Sequence, residues 1–228
     1  MDNSIPVITI DGPSGTGKGT IAQLLAQRLG WHLLDSGALY RIVAVGVQEE
    51  DIKTININKI CEFAKVMSVK FGGQSEGSIS LDGQDITARV RLEETADKAS
   101  RVAAIPELRQ VLLQRQRDFL RAPGLVADGR DMGTVVFPDA GLKIFLTASP
   151  EERAQRRYNQ LINKGVNVNL RALLQDIASR DERDAKRAVS PLRPAQDAVV
   201  IDTTSLTIEQ VLDKVLAETR LRFTGAGR

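Results

Sequence analysis

A glycine-rich loop near the start of the sequence constrains the fold more than any other feature. Residues 12–20 read Gly-Pro-Ser-Gly-Thr-Gly-Lys-Gly-Thr; an apolar run precedes them and an apolar-periodic helix-like segment follows. In this order of strand, loop and helix, backbone N–H groups surround a phosphate and the lysine reaches its oxygens. A glycine-rich turn without a ligand would not need Lys18 at this position, so the sequence predicts a phosphate-binding loop.

Short apolar runs alternate with longer segments of helical periodicity along the chain. The runs read as buried parallel strands and lie at 7–10, 33–34, 125–127, 143–146 and 199–201. Helices are expected around 18–29, 38–50, 106–121, 150–163, 170–187 and 207–222, with Pro106 and Pro150 at helix starts and Thr207 as an N-cap. The alternation predicts an α/β fold with a five-stranded parallel sheet and helices on both of its faces.

Residues 66–87 interrupt this alternation. They contain two short strand-like runs, 69–71 and 78–81, and the turn signals Gly72-Gly73 and Asp82-Gly83. We interpret the segment as a small antiparallel insertion. With 228 residues, of which 42% are hydrophobic, the chain suits one core, so residues 1–228 are treated as a single unit carrying this insertion.

Composition excludes several classes of function. The 31 basic and 29 acidic residues leave a net charge of +2, too small for a general nucleic-acid binder. Arginines outnumber lysines, 21 to 10, which favours bidentate recognition of phosphate or carboxylate. The single cysteine, the absence of a membrane-spanning apolar run and the lack of a leader-like start lead us to expect a cytoplasmic protein with no membrane partner.

Two further motifs follow predicted strands. Ser36 and Arg41 lie after the second strand, at the sheet edge where open α/β folds bind ligands, although a capped helix with a solvated arginine would also explain them. The segment 128–134 packs two acids, an arginine and two glycines into seven residues. Asp128 occupies the place of an acid that orders a metal's water shell, while Arg130 can fork onto a phosphate and Asp131 can accept hydrogen bonds.

Eight of the 21 arginines fall between residues 153 and 193. Arg153 and Arg157, four apart, share one face of a predicted helix. A solvated face or an intrahelical ion pair would explain any one of these arginines. As a group they suit a short helical lid at 153–187, turning at 163–167, that neutralises charge on a transferring phosphoryl group and excludes water.

The loop and the segments 34–41 and 127–138 together resemble the bacterial cytidylate kinases, which are adenylate-kinase-like P-loop nucleoside monophosphate kinases. The resemblance runs through almost the whole chain, including the insertion and residues 180–192. It implies a monomer that transfers a phosphoryl group from ATP to CMP or dCMP. Because Gly19 stands where the general loop pattern has Ser or Thr, Mg²⁺ would be held by nucleotide oxygens and water.

The resemblance also implies roles for individual residues. The ATP-binding set is Gly12, Pro13, Ser14, Gly15, Thr16, Gly17, Lys18, Gly19 and Thr20. The catalytic set is Lys18, Asp128, Arg153 and Arg157, with Asp128 reaching the metal through water. The acceptor region is 36–110, and the CMP-binding set is Ser36, Arg41, Ser100, Arg109, Arg130, Asp131, Arg180, Asp184 and Arg187.

Two other functions stay open on the sequence alone. One is a P-loop kinase acting on a nucleoside, shikimate or another monophosphate, whose acceptor would not require so many arginines. The other is a nucleotide-dependent switch or motor, but the sequence has no guanine-reading Asn-Lys-x-Asp segment and no obvious switch glutamine. The order of preference among CMP, dCMP and UMP also stays open.

Overall fold

The structure is a computed structural model that describes residues 5–47, 56–71 and 78–223. The chain divides into two compact units, one formed by Met1–Asp35 with Gln116–Arg228 and the other by Ser36–Arg115. No helix within the described ranges is long and apolar enough to cross a membrane.

The helices and strands follow one another along both units. In chain order they are β1 (Val7–Asp11), α1 (Lys18–Leu29), β2 (His32–Asp35), α2 (Ser36–Gly46), α3 (Ile57–Val66), β3 (Val69–Phe71), β4 (Ile79–Leu81), β5 (Gln84–Asp85), α4 (Thr87–Val90), α5 (Glu93–Val102), α6 (Pro106–Arg117), β6 (Leu125–Gly129), a π-helical turn (Met132–Val136), β7 (Leu142–Thr147), α7 (Pro150–Ile162), α8 (Leu170–Ala185), β8 (Val199–Asp202) and α9 (Ile208–Arg222).

The first unit contains a five-stranded sheet in the order β2-β6-β1-β7-β8, with every neighbouring pair parallel. This confirms the predicted sheet. One face packs against α1 and α9 through a buried cluster that includes Ile8, Ile144, Leu25 and Val215. The central strand β1 is buried along its whole length, so the loop that follows it starts from a fixed position.

Local signals fix several helix ends in this unit. Thr207 caps α9 in a capping box with Gln210, as predicted. Pro150 is the first residue of α7, and the Ser149 hydroxyl accepts the N–H of Glu152 at 3.2 Å. Gly17 caps α1 in the left-handed conformation, with a φ of 89° that other residues rarely adopt.

The second unit combines helices with the three-stranded antiparallel sheet β3-β4-β5. The predicted antiparallel insertion is thereby confirmed. Asp82 and Gly83 form the β4–β5 turn with φ values of 50° and 84°. The other predicted turn, Gly72-Gly73, lies outside the described residues.

Some boundaries differ from the predicted ones. The helix expected at 38–50 begins at Ser36 and ends at Gly46, while residues 48–50 lie outside the described residues. The helix expected at 106–121 ends at Arg117, where the N–H groups of Phe119 and Leu120 make turn-type bonds. The helix expected at 170–187 ends at Ala185. Helix α4 and the π-helical turn are not among the predicted segments. The apolar helix positions around Cys61 and the helix-like pattern at 99–104 indicate α3 and α5 only in part. All three helices are short, and tertiary packing decides such cases.

Candidate nucleotide-binding site

The phosphate loop connects β1 to α1 and passes close to β7. A Cβ atom on Gly12 would lie 2.2 Å from the carbonyl oxygen of Leu146, so only glycine fits there. The Thr16 hydroxyl donates to the Pro13 carbonyl at 3.1 Å, and the Lys18 ammonium donates to the same oxygen at 3.3 Å. The lysine therefore folds over the loop and brings its charge to the place where phosphate oxygens are expected.

Lys18 and Asp128 carry opposite charges in the same buried environment. Burial lowers the pKa of Lys18 and the nearby Arg130 lowers it further, while Asp128 opposes both effects. Burial raises the pKa of Asp128, and Lys18 opposes that shift. Each charge is thus stabilised by the other. The ammonium can attract the anionic groups of a ligand and the carboxylate can attract a cation bound to it.

The environment of Asp128 suits a metal ion held through water. Its Oδ1 is buried and has no hydrogen-bond partner among the described residues. In the same part of the chain, no three His, Cys, Asp or Glu side chains form a group that could hold a metal. A buried carboxylate with one oxygen left open fits Mg²⁺ through a water ligand, with the nucleotide supplying most of the coordination.

Asp184 joins two of the predicted acceptor residues. Its Oδ2 accepts from Arg130 Nε at 3.0 Å, and its Oδ1 accepts from Arg187 Nη2. The carboxylate is buried, with 4% exposure. The structure therefore brings Arg130, Asp184 and Arg187 together, with Arg180 one turn earlier on α8. Two guanidinium groups around one carboxylate leave a net positive charge suited to a phosphate.

The two arginines predicted on the lid lie in different environments. Arg153 is buried and donates to Ala148 O at 3.0 Å, to Ser14 O at 3.1 Å and to both carboxylate oxygens of Asp181. It thereby links the phosphate loop to α8. Arg157 is half-buried and donates to Gln160 Oε1 at 3.0 Å.

Of the remaining predicted acceptor residues, Asp131 belongs to the first unit, where it is buried with 3% exposure. The other four belong to the second unit. Arg109 has 8% exposure, donates to Ala103 O at 3.1 Å and places its guanidinium carbon 5.6 Å from the centre of the Tyr40 ring. Arg41 donates to Val90 O at 3.1 Å. Ser36 is buried at the start of α2, and Ser100 is half-buried on α5, which packs against α2.

Asp11, at the end of β1, is a site residue that sequence reasoning missed. Its carboxylate accepts the backbone N–H groups of Met132 at 2.9 Å and Gly133 at 2.8 Å. Burial raises its pKa to about 6, against these two hydrogen bonds, which lower it. The available signal was an acid at the end of an otherwise uncharged buried strand, next to Gly12.

A second missed contact joins Arg156 to the turn after β8. Arg156 Nη1 donates to the Thr203 hydroxyl at 3.1 Å, and Nη2 donates to the Thr203 carbonyl. The Thr203 hydroxyl also lies 3.2 Å from Thr16 O in the phosphate loop. The only sequence signal for this contact was the position of Arg156 next to the predicted Arg157. Thr203 is 47 positions away, so the sequence did not identify it as the partner.

Comparison with known proteins gives one consistent family. Residues 8–221 match the family model described as Cytidylate kinase. A cytidylate kinase from Marinomonas sp. (strain MWYL1) is 56% identical over 221 residues, covering 96% of this chain and 97% of that protein. One from Shewanella denitrificans is 55% identical over 219 residues, covering 95% and 96%. The crystal structure of an uncharacterized protein from Eubacterium ventriosum, 12% identical with a TM-score of 0.50, covers 96% of this chain and 99% of its own and supports the fold alone.

Proposed function

The chain belongs to the cytidylate kinase family, and we propose that it transfers the γ-phosphoryl group of ATP to CMP and dCMP. The observation that carries the proposal is the family match across residues 8–221. The products are ADP and CDP or dCDP. The transfer is direct and in line, so the protein's work consists of alignment and charge stabilisation.

On the donor side, residues 12–20 bind the ATP phosphates. Backbone N–H groups of the loop and of the α1 N-terminus face the phosphate oxygens, and the Lys18 ammonium neutralises their charge. Mg²⁺ bound to the nucleotide would supply further neutralisation of the phosphate oxygens. Asp128 would hold it through a water ligand, in keeping with the buried Oδ1 that lacks a partner in the described ranges.

On the acceptor side, we assign nine residues to CMP binding. Arg130, Arg180 and Arg187 provide guanidinium groups for the CMP phosphate, and Asp184 orients two of them. Ser36, Arg41 and Asp131 bind the phosphate and neighbouring groups. Ser100 and Arg109 face the cytosine, where hydroxyl and guanidinium donors can meet its carbonyl and ring nitrogen.

The lid arginines complete the proposal. Arg157, which is half-buried, contacts the transferring phosphoryl group when the lid closes. Arg153 would have to exchange the Asp181 carboxylate for a phosphate oxygen to make the same contact. We also assign the protein to the cytoplasm and treat it as a monomer.

An acceptor panel tests the proposal. ADP formation from ATP and Mg²⁺ is measured with CMP, dCMP, UMP, AMP, GMP or no acceptor. Turnover confined to CMP and dCMP and abolished by Lys18→Ala supports it, with Lys214→Ala, an exposed lysine on α9, as the matched control. Equal ADP formation without any acceptor contradicts it and favours a nucleotide-driven switch or motor.

A further inference from the structure

The π-helical turn Met132–Val136 directly follows Arg130 and Asp131 in the chain. The Asp131 carbonyl accepts the N–H groups of Val135 at 2.9 Å and Val136 at 3.2 Å, so Asp131 forms the first part of the turn. A five-residue turn cannot satisfy the backbone groups at its own ends, which must find partners elsewhere. π-Helical turns are also frequent at functional sites.

Asp11 holds the N-terminal end of this turn. Its two carboxylate oxygens accept one backbone N–H each, from Met132 at 2.9 Å and from Gly133 at 2.8 Å. The side chain has 5% exposure. β1, which ends at Asp11, pairs with β6, so Asp11 lies beside Gly129 and its position is fixed by the sheet. A negative group at this end also suits the positive end of the helix dipole.

Arg117 holds the C-terminal end of the same turn. From the last residue of α6, its Nε donates to the Val136 carbonyl at 3.0 Å and its Nη2 donates to the Val135 carbonyl at 3.3 Å. The guanidinium therefore pairs with carbonyls that the turn itself leaves open, and its charge suits the negative end of the helix dipole. The turn is therefore held at both ends by side chains whose charges complement the helix dipole, with an acid at its N-terminal end and an arginine at its C-terminal end.

We propose that Asp11 and Arg117 are positioning residues for acceptor binding, because they fix the turn and thereby set the place of Asp131 and Arg130. The inference rests on the proposed function, in which Arg130 and Asp131 bind CMP. Arg130 has a second anchor in Asp184, so the turn decides the backbone position and Asp184 decides the direction of the guanidinium. Neither Asp11 nor Arg117 needs to touch a substrate for this role.

The test is Asp11→Asn, which preserves shape but lets the side chain accept only one of the two N–H groups while its own NH₂ faces the other. We expect KM for CMP to rise about tenfold and KM for ATP to change less than about threefold, because a small displacement of an anchoring loop weakens one substrate's contacts. Arg117→Lys keeps the positive charge but cannot donate to both carbonyls as the guanidinium does. It should also raise KM for CMP more than KM for ATP, by a smaller factor than Asp11→Asn. Calorimetric titration with CMP alone should show a matching loss of affinity.

Asp213→Asn is the control, because Asp213 is an exposed acid on α9 that belongs neither to the acceptor region 36–110 nor to the lid 153–187. It should leave both KM values unchanged. Equal rises of both KM values, or unchanged CMP affinity in a folded Asp11→Asn or Arg117→Lys variant, would overturn the inference. If Asp11→Asn does not fold, the Arg117→Lys result decides. Failure of the proposed function is recognised separately, since the unmodified protein would then not phosphorylate CMP.

Discussion

The guanidinium of Arg153 donates to both carboxylate oxygens of Asp181, and its Nη1 also donates to Ser14 O at 3.1 Å. One side chain on α7 therefore connects α8 with the phosphate loop. Arg153 has 3% exposure and Asp181 has 28%, so the pair lies largely away from water. A bidentate pair in such surroundings fixes orientation as well as distance, and it ties the position of α8 to the loop.

Asp181→Asn is expected to lower the free energy of unfolding by about 1–3 kcal/mol, because the buried Arg153 then loses its anionic partner and keeps only neutral acceptors. The partial exposure of Asp181 keeps the expected value below that of a fully buried pair. Equilibrium urea unfolding measures the change. KM for ATP should rise in the same variant, since Arg153 also donates to the loop.

Glu182→Gln is the control for that experiment. Glu182 is the next residue on α8 and pairs with Lys186 at 2.7 Å, but both side chains are exposed. Solvent-exposed pairs contribute little, so the free energy of unfolding should be almost unchanged. Similar losses in the two variants would show that the Arg153–Asp181 pair has no special weight in the stability of the fold.

Asp184→Asn is expected to raise KM for CMP by about 10- to 100-fold while KM for ATP changes little, because the carboxylate that holds Arg130 and Arg187 loses its charge and their mutual repulsion remains. Steady-state kinetics with each substrate varied in turn measures the split. Asp176→Asn, at an exposed position of the same helix, should leave both constants unchanged. A rise in KM for ATP alone would contradict the acceptor role of this cluster.

The elements that were predicted correctly depend on signals within a few neighbouring residues. Local sequence is enough to predict the phosphate loop, the start of a helix at Pro150 and the helix cap at Thr207. The contacts of Asp11 and Arg117 have no such local signal. Asp11 accepts hydrogen bonds from residues 121 and 122 positions away, and the sequence around a single acid or arginine does not identify its partner. Arg153 shows the same limit, since helical spacing placed it beside Arg157 but did not reveal its pairing with the half-buried carboxylate of Asp181.

The stability contribution of Asp11 should depend on pH in a definite direction. Burial raises its pKa from 3.8 to about 6, so the folded protein holds this proton more tightly than the unfolded chain. This contribution is fully present below about pH 4 and is lost as pH rises through about 6, at most about 3 kcal/mol for a shift of this size. The difference in free energy of unfolding between the unmodified protein and Asp11→Asn should therefore shrink from acid to neutral pH.

Urea unfolding of both proteins at several pH values between about 4 and 7.5 measures this difference, and the comparison removes the effect of the other carboxylates. A difference that stays constant or grows with pH contradicts the raised pKa of Asp11. The expected trend also means that the protonated carboxyl of Asp11 stabilises the fold more than the ionised carboxylate does, although the carboxylate accepts two hydrogen bonds from the π-helical turn.

Gly19 has no side chain, and this leaves room for the carboxylate of Asp128. A Cβ atom at residue 19 would lie 3.2 Å from Asp128 Oδ2, closer than ordinary contact, and Gly19 is not among the glycines with positive φ. Gly19→Ala therefore introduces no backbone strain and improves helix propensity, so stability should be unchanged or slightly raised. The new methyl group should displace the Asp128 carboxylate and lower kcat/KM for ATP about tenfold.

Gly30→Ala is the matched variant at the other end of α1 and should behave in the opposite way. Gly30 has a φ of 67° and nothing within 4 Å of an added Cβ, so alanine there meets backbone strain but no collision. The free energy of unfolding should fall by about 1 kcal/mol while kcat/KM stays close to that of the unmodified protein. If Gly19→Ala instead keeps full activity, the carboxylate of Asp128 can move without cost and its position beside the loop does not set the rate. A loss of activity at Gly19 alone, with a loss of stability at Gly30 alone, would separate the catalytic use of this helix end from its structural one.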